Sequence, residues 1–269
     1  MKKNVVFWIG VKNPDPLMNE KHGGFKYLDI GKQSWKSWCK LNGVEFVEYT
    51  LADTNVPVDI HKPTWTRWFD VFRVVRNTGI DFDKIAVIDG STIIKWNAPN
   101  FFNDCPNGIL TAFRSLENLY WVHEGIQGYA NATYFDTVQF DYTKYVSCGF
   151  QIFDSSHEHF LQKLEDYYYN NNEEILNLQN SKVKRGTDQP VYNYLLQLFN
   201  IPVNMNLNPA FMLTHLNRFD WVSHNWQLND TTPFFIKYGY IFFYSGFPNR
   251  GDREAMMSQT WEQIKHNYI

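Results

Sequence analysis

The chain has 269 residues, a formal net charge of −3 and an aromatic content of 18%, with 10 Trp, 16 Tyr and 22 Phe. That length suits one large α/β domain or two small ones and allows a sizeable core. The slightly acidic balance, with no long basic run, argues against nucleic acid as a partner, since a large footprint needs many phosphate contacts from Lys and Arg.

Cys39, Cys105 and Cys148 have neither a zinc-ligand spacing nor a disulfide pattern, so a reducing compartment is expected. The apolar run after Met1-Lys2-Lys3-Asn4 is only about six residues long, too short for a signal-peptide core or a membrane span. A cytoplasmic location with no membrane span follows, and the sequons Asn131-Ala132-Thr133 and Asn229-Asp230-Thr231 are discounted.

Asn4 to Val11 reads as a buried strand, and a loop rich in Pro, Gly and Asn follows from Asn13 to Gly24. A helix from Phe25 to Leu41, stopped by Asn42-Gly43, and a strand from Val44 to Tyr49 complete a β-α-β opening. Such an opening predicts a parallel sheet with a right-handed crossover. The clearest helix runs from His61 to Asn77, with Pro63 in its first turn and Trp65, Trp68, Phe69, Phe72 and Val75 on one face. Those aromatics read as core. Arg67 lies off their stripe, where a cation either faces an anionic ligand or is solvated.

The run Lys84-Ile85-Ala86-Val87-Ile88-Asp89-Gly90-Ser91 comes next. Its apolar part reads as a fully buried strand. A carboxylate just past such a strand stands at the carboxyl edge of the sheet, where open α/β sheets bind ligands. Asp-Gly is equally a common turn pair.

Ala98 to Asn103 reads as a helical turn and Gly108 to Phe113 as a strand, while Ser115 to Asn131 mixes a helical pattern with Gly125 and Gly128. Tyr145 to Asp154 reads as a strand, then Ser155 or Ser156 caps a helix from His157 to about Asn170. Asn170-Asn171-Asn172 is polar punctuation before a brief helix from Glu173 to Asn180, and Lys182-Val183-Lys184-Arg185 reads as a solvated loop. Thr187 caps a helix with Asp188, Gln189 and Pro190 in its first turn. Phe234 to Tyr244 is strand-like, Gly246 to Gly251 a tight loop, and Arg253 to Tyr268 a closing helix with Met257, Trp261, Ile264 and Tyr268 inward. No repeat or linker interrupts the chain, so one domain over 1–269 is expected.

Three features now stand in order: a strand ending in Asp89-Gly90-Ser91, the strand Ser147-Cys148-Gly149-Phe150-Gln151-Ile152-Phe153-Asp154 before a helix, and Gly186-Thr187-Asp188-Gln189-Pro190 opening another helix. Together they resemble the GT-A glycosyltransferases, above all the glycogenin-like and galactosyltransferase-like branch, over residues 4 to 250. The resemblance implies an α/β, Rossmann-like domain whose mixed, mostly parallel central sheet is flanked by helices. It implies transfer of a sugar from a nucleotide-diphosphate sugar, a UDP-sugar, to a hydroxyl acceptor such as a glycan. The Asp188-Gln189 pair favours retention of configuration; an inverting route needs a carboxylate base, a role Asp188 could also fill.

The donor departs as a diphosphate, whose charge is stabilised by a divalent metal or by Arg and Lys. Oxygen ligands suit Mg²⁺ or Mn²⁺. By the resemblance, Asp89 holds the metal or the donor ribose, with Gly90 and Ser91 beside it. Arg67 lies near the diphosphate and donor sugar, and Gly149 lets the sugar approach the backbone. Asp188 and Gln189 contact the donor sugar or the face the acceptor attacks, and Gly10 and Val11 lie beside the nucleobase.

Two positions depart from the family. Ser91 replaces the second aspartate of Asp-x-Asp and is a weak, neutral ligand. Phe243-Tyr244-Ser245-Gly246 stands where the family's late His-x-x-Gly completes the metal site, with Phe243 at the histidine position. Three outcomes are open: a weak metal site through Asp89 and the donor phosphates, no metal with Arg67, Arg250 or Arg253 neutralising the leaving group, or lost catalysis. His215 and His224 fit no usual metal spacing. The competing readings are a non-catalytic binder of nucleotide-sugar or glycan, a nucleotidyltransferase using a loop around Lys21-His22-Gly23-Gly24 and Lys26, and a glucosyltransferase of modified DNA bases. Tyr120, Trp121, Trp221 and Trp226 suit stacking on a glycan acceptor and core packing equally.

Overall fold

The computed structural model describes residues 2–12, 24–58, 60–115, 119–130, 139–182, 187–212, 234–245 and 250–268. Its strands are β1 (Lys3–Ile9), β2 (Glu45–Tyr49), β3 (Phe82–Ile88), β4 (Thr92–Ile94), β5 (Leu110–Arg114), β6 (Val146–Asp154), β7 (Val203–Asn204) and β8 (Ile241–Phe243). Its helices are α1 (Lys26–Asn42), α2 (Pro63–Asn77), α3 (Leu119–Ala130), α4 (Glu158–Asn177), α5 (Gln189–Leu198), the short α6 (Pro209–Met212) and α7 (Phe234–Tyr238), and α8 (Arg250–Ile264).

Six strands form one sheet in the order β2-β1-β3-β6-β5-β7. β1 is parallel to β2 and β3, and β7 is parallel to β5. β6 runs antiparallel between β3 and β5, which makes the sheet mixed. β4 and β8 form a separate antiparallel pair. Helices cover both faces, and β1 shows why its sequence is a continuous apolar run. Val5 and Phe7 enter a core with Trp65, Trp68, Phe160 and Tyr192, while Val6 and Trp8 enter a second core with Trp35, Trp38 and Trp261. A strand buried on both faces has no polar alternation to show.

The second core anchors α1 beside the end of β3. Trp38 stacks on Phe101 with ring centroids 4.8 Å apart and donates its indole N–H to the Ala98 carbonyl at 2.8 Å. Trp35 donates to Thr92 Oγ1 at 2.9 Å. Gly31 brings the helix backbone against the turn after β3: a Cβ there would lie 2.8 Å from the Thr92 carbonyl oxygen and 2.9 Å from that of Gly90.

Several local expectations change. Phe234 to Tyr244 is not one strand: α7 occupies its first part and only Ile241–Phe243 pairs with β4. A short apolar run fits a buried helix as well as a strand, and the Gly239 N–H closes α7 on the Phe235 carbonyl at 2.8 Å. The Asn170-Asn171-Asn172 stretch does not end α4. The helix absorbs it with a kink at Asn171 (φ −130, ψ 15), whose side chain donates to the Tyr167 carbonyl, and runs on into a π-helical turn, Leu178–Lys182. Neither Ser155 nor Ser156 caps α4; they lie in a 3-10 turn, Ser155–His157, capped by Asp154. The N-cap of α5 is Asp188, not Thr187, and its side chain makes no capping bond. The Leu119–Ala130 segment is helical through Gly125 and Gly128, and the closing helix begins at Arg250 rather than Arg253. Met257, Trp261 and Ile264 are buried as expected. Among the described residues no helix is long and apolar enough to cross a membrane.

Replacing Gly31 with Ala should destabilise the protein by about 1–3 kcal/mol in urea unfolding, because two fixed carbonyl oxygens occupy the space of the new methyl group. Helix propensity alone predicts the opposite sign, a gain of up to about 1 kcal/mol. A midpoint at or above the wild-type value would show that α1 does not rest on this turn.

Candidate functional site

β3 ends at Ile88 and the chain turns at once. Asp89 Oδ1 accepts from the Ser91 N–H at 2.8 Å and from Ser91 Oγ at 2.7 Å, an Asx-type closure. Thr92 Oγ1 donates to the Asp89 carbonyl at 2.7 Å. Gly90 is buried with its α-carbon side facing the Ile9 carbonyl, and an added Cβ would stand 2.7 Å from Leu28 Cδ2. Asp89 is half-buried, and its Oδ2 accepts no hydrogen bond among the described residues. Gly10, bonded through its N–H to the Tyr49 carbonyl at 2.8 Å, and the largely buried Val11 follow β1 at the same sheet edge.

Because β6 is antiparallel to β3, its beginning comes to the carboxyl edge of β3. The Asp89 N–H donates to the Gly149 carbonyl at 3.0 Å, one step beyond the Ile88–Phe150 pair. α5 clamps this part of β6. Gln189 Oε1 accepts from the Cys148 N–H at 3.0 Å, and Asn193 bonds both the N–H and the carbonyl of Val146.

Behind β6 lies a buried ion pair. Arg67 Nη2 donates to Asp188 Oδ2 at 2.8 Å, with each side chain only 4% exposed. The same oxygen accepts the Trp68 indole N–H at 2.7 Å, while Oδ1 accepts from Thr187 Oγ1 at 3.0 Å. The guanidinium also lies 4.4 Å from the Trp68 ring centroid and donates through Nε to the Thr64 carbonyl. Burial works to lower the Arg67 pKa, but Asp188 is the main opposing influence, with Asp89 also contributing, and the net shift is upward. Burial pushes the neighbouring Cys148 thiol well above its ordinary pKa, so it is a neutral group beside Asp188. Arg67 is therefore neither solvated nor open to a ligand through this amino group. The role of Trp68 was hidden in the aromatic stripe of α2; the general need of a buried indole N–H for an acceptor was the signal.

Phe243 closes the site from the β4–β8 side. It pairs with Thr92, the Tyr244 N–H donates to the Ser91 carbonyl at 2.9 Å, and the Phe243 ring lies on Gly149, where a Cβ would come 2.7 Å from Cε2. A cavity of only about 10 Å³ remains between Phe243, Gly149, Ser147 and Thr92, at the lower limit for one water. Larger hollows of 320 and 590 Å³ lie on the α2–α4 surface and around Tyr169–Asn177, and neither is lined by a residue of this edge.

A divalent ion fits these residues poorly. Among the described residues no group of three or more His, Cys, Asp or Glu side chains is placed to hold a metal. The turn offers one open carboxylate oxygen; the Ser91 hydroxyl is committed to Asp89, and Phe243 presents carbon. Mg²⁺, Mn²⁺ and Ca²⁺ want several oxygen ligands. Lys21, His22, His215, Trp221, His224, Trp226, Gly246 and both sequons lie outside the described residues. Tyr120 is exposed on α3, and Trp121 packs partly against the core.

The whole architecture matches known structures. A glycosyltransferase involved in glycosylation of the major capsid of PBCV-1 is similar over 96% of this chain and 99% of its own, at 12% identity and a TM-score of 0.54. The galactosyltransferase LgtC, in complex with donor and acceptor sugar analogs, aligns over 97% of this chain and 96% of its own, at 12% identity and a TM-score of 0.48. Mouse xyloside xylosyltransferase 1 aligns over 78% and 87%, at 10% identity and a TM-score of 0.39. No family model matches the sequence, and no curated protein matches it. The fold is the GT-A fold of glycosyltransferases, as the sequence resemblance implied.

Asp188→Asn should cost about 3–5 kcal/mol, because it leaves the buried Arg67 charge without its partner. Joining it to Arg67→Met should recover part of that loss in urea denaturation. Losses that simply add would show that the two side chains act independently.

Proposed function

We propose that this protein transfers a sugar from a nucleotide-diphosphate sugar, a UDP-sugar, to a hydroxyl acceptor such as a glycan. The observation that supports this reading is the convergence, at one edge of a GT-A sheet, of the Asp89–Ser91 turn, the Gly149 backbone and the start of α5. Gly10 and Val11 flank the nucleobase in this reading, and Asp89 Oδ2 accepts a ribose hydroxyl. Gly90 and Ser91 keep that carboxylate in place. Gly149 and Phe243 border the donor sugar. Gln189, held by β6, faces the reacting centre, while Asp188 and Arg67 fix the position of α5 behind it and supply balanced charge. Retention of configuration is the favoured outcome, because Asp188 is committed to Arg67 and Trp68 and is poorly placed to take an acceptor proton.

The second reading, a non-catalytic binder of nucleotide-sugar or glycan, draws on the small space left under Phe243. Release of nucleoside diphosphate from a panel of nucleotide-sugars and acceptor glycans separates the two: a binder stabilises the fold without turnover.

Thermal melting with nucleotides and nucleotide-sugars should single out UDP and UDP-sugars. Ligand at about 100 times its Kd stabilises the native state by about 2.7 kcal/mol, a rise of roughly 5 °C or more. Asp89→Ala should remove that rise and the turnover while keeping a cooperative transition. Wild-type turnover in Asp89→Ala would take Asp89 out of the site.

A further inference from the structure

A departing diphosphate needs positive charge close by, fixed before the reaction begins. Arg67 cannot supply it, since its charge is balanced by Asp188 inside the core. The side chain of Arg250 lies outside the described residues. Arg253, near the start of α8, is in a different state. Its Nε donates to the Tyr244 carbonyl at 3.0 Å, its Nη1 lies 3.4 Å from the Tyr27 hydroxyl, and its guanidinium is 5.2 Å from the Tyr27 ring centroid. All of these partners are neutral. Among the described residues no carboxylate pairs with Arg253, and its guanidinium is held in place by neutral groups.

Two tethers put this cation next to the Asp89 turn. Tyr244, which orients Arg253 through its carbonyl, donates its N–H to the Ser91 carbonyl. Tyr27 precedes Leu28, whose side chain packs on Gly90. One residue, Tyr244, thus links the guanidinium to Ser91 on one side, and its tyrosine partner Tyr27 directly precedes the Leu28 that contacts Gly90 on the other. A fork of N–H donors suits two phosphate oxygens at once. A fixed monocation at this place also repels a divalent ion that the turn is already ill-equipped to ligate.

We infer that Arg253, rather than a divalent metal, carries the charge of the donor diphosphate in this protein, an inference that rests on the nucleotide-sugar reading. In the transfer, the bond between the anomeric carbon and the diphosphate oxygen breaks, and its electron pair goes to that oxygen beside the guanidinium. The acceptor hydroxyl oxygen bonds to the anomeric carbon, and its proton goes to the departing diphosphate.

Isothermal titration of the full chain with UDP, GDP, CDP and ADP, each in EDTA and in Mn²⁺, tests the assignment. The nucleotide that binds should do so about equally in both conditions. Arg253→Gln should weaken it by about tenfold or more, and Arg253→Lys by less, as expected for a charge-assisted contact. Melting of the ligand-free variants checks that they fold. Binding that needs Mn²⁺, or wild-type affinity in a folded Arg253→Gln, overturns the role of Arg253 and leaves the nucleotide-sugar reading standing. Should Arg253→Gln not fold, the EDTA arm on the wild-type chain and Arg253→Lys still decide. Absence of binding by all four nucleotides in both conditions overturns the inference together with the nucleotide-sugar reading.

Discussion

The arrangement of this site depends on one strand running the wrong way. β6 enters a sheet whose first three strands are parallel and lies antiparallel to β3. Antiparallel pairing brings the first residues of β6 to the edge where β1 and β3 end, so Gly149 meets Asp89 there. Eight of its nine residues are buried, and such a strand must satisfy every backbone group it carries. The β3 and β5 ladders satisfy much of it. At Val146 and Cys148, side chains of α5 supply what the ladders do not: Asn193 bonds the N–H and carbonyl of Val146, and Gln189 accepts from Cys148. Backbone satisfaction therefore fixes the register of α5 against the sheet edge, and with it the position of Gln189.

The buried Arg67–Asp188 pair works on the same assembly from the other side. It ties the second turn of α2 to the first of α5, and the Trp68 indole adds a neutral donor to the same carboxylate oxygen. A buried pair of this kind is costly to break and contributes little net stability. Its consequence is geometric: α2 and α5 cannot slide past one another without stranding a charge. This also explains why an arginine off the apolar stripe of α2 is as buried as the stripe itself. The chain pairs it with Asp188, 121 residues later.

The sequence made the framework of the fold readable wherever its own pattern was strong. The continuous apolar run before Asp89, the aromatic face of α2 and the inward residues of α8 each map onto a strand or helix face with small shifts at the ends. Elements governed by distant contacts were harder to read. Residues 234–244 divide into α7 and β8 because β4 offers a partner only to Ile241–Phe243. The asparagine run did not stop α4, since Asn171 supplies a side-chain donor to the Tyr167 carbonyl at the kink. In the site, the Asp89-Gly90 turn was local and therefore legible, whereas the bonds by which Ser91 closes on Asp89 were not read from it. Asp188, which pairs with Arg67, and Tyr27, which lies against Arg253, are far off in sequence, and no spacing announces them.

Ser91 and Phe243 form part of one consistent local arrangement. Ser91 closes the turn with its hydroxyl on Asp89 and ties it, through its carbonyl, to Tyr244 just after β8. Phe243 can lie flat on the backbone at residue 149 only because that residue is glycine, and Tyr244 then directs its own carbonyl at Arg253. A second carboxylate at position 91 would place a negative charge in a buried site next to the half-buried Asp89, where like charges are expensive. A serine avoids that repulsion and needs no counter-ion. With a hydroxyl at 91 and an aromatic ring at 243, neither neighbour adds a second negative charge to the Asp89 carboxylate at this sheet edge.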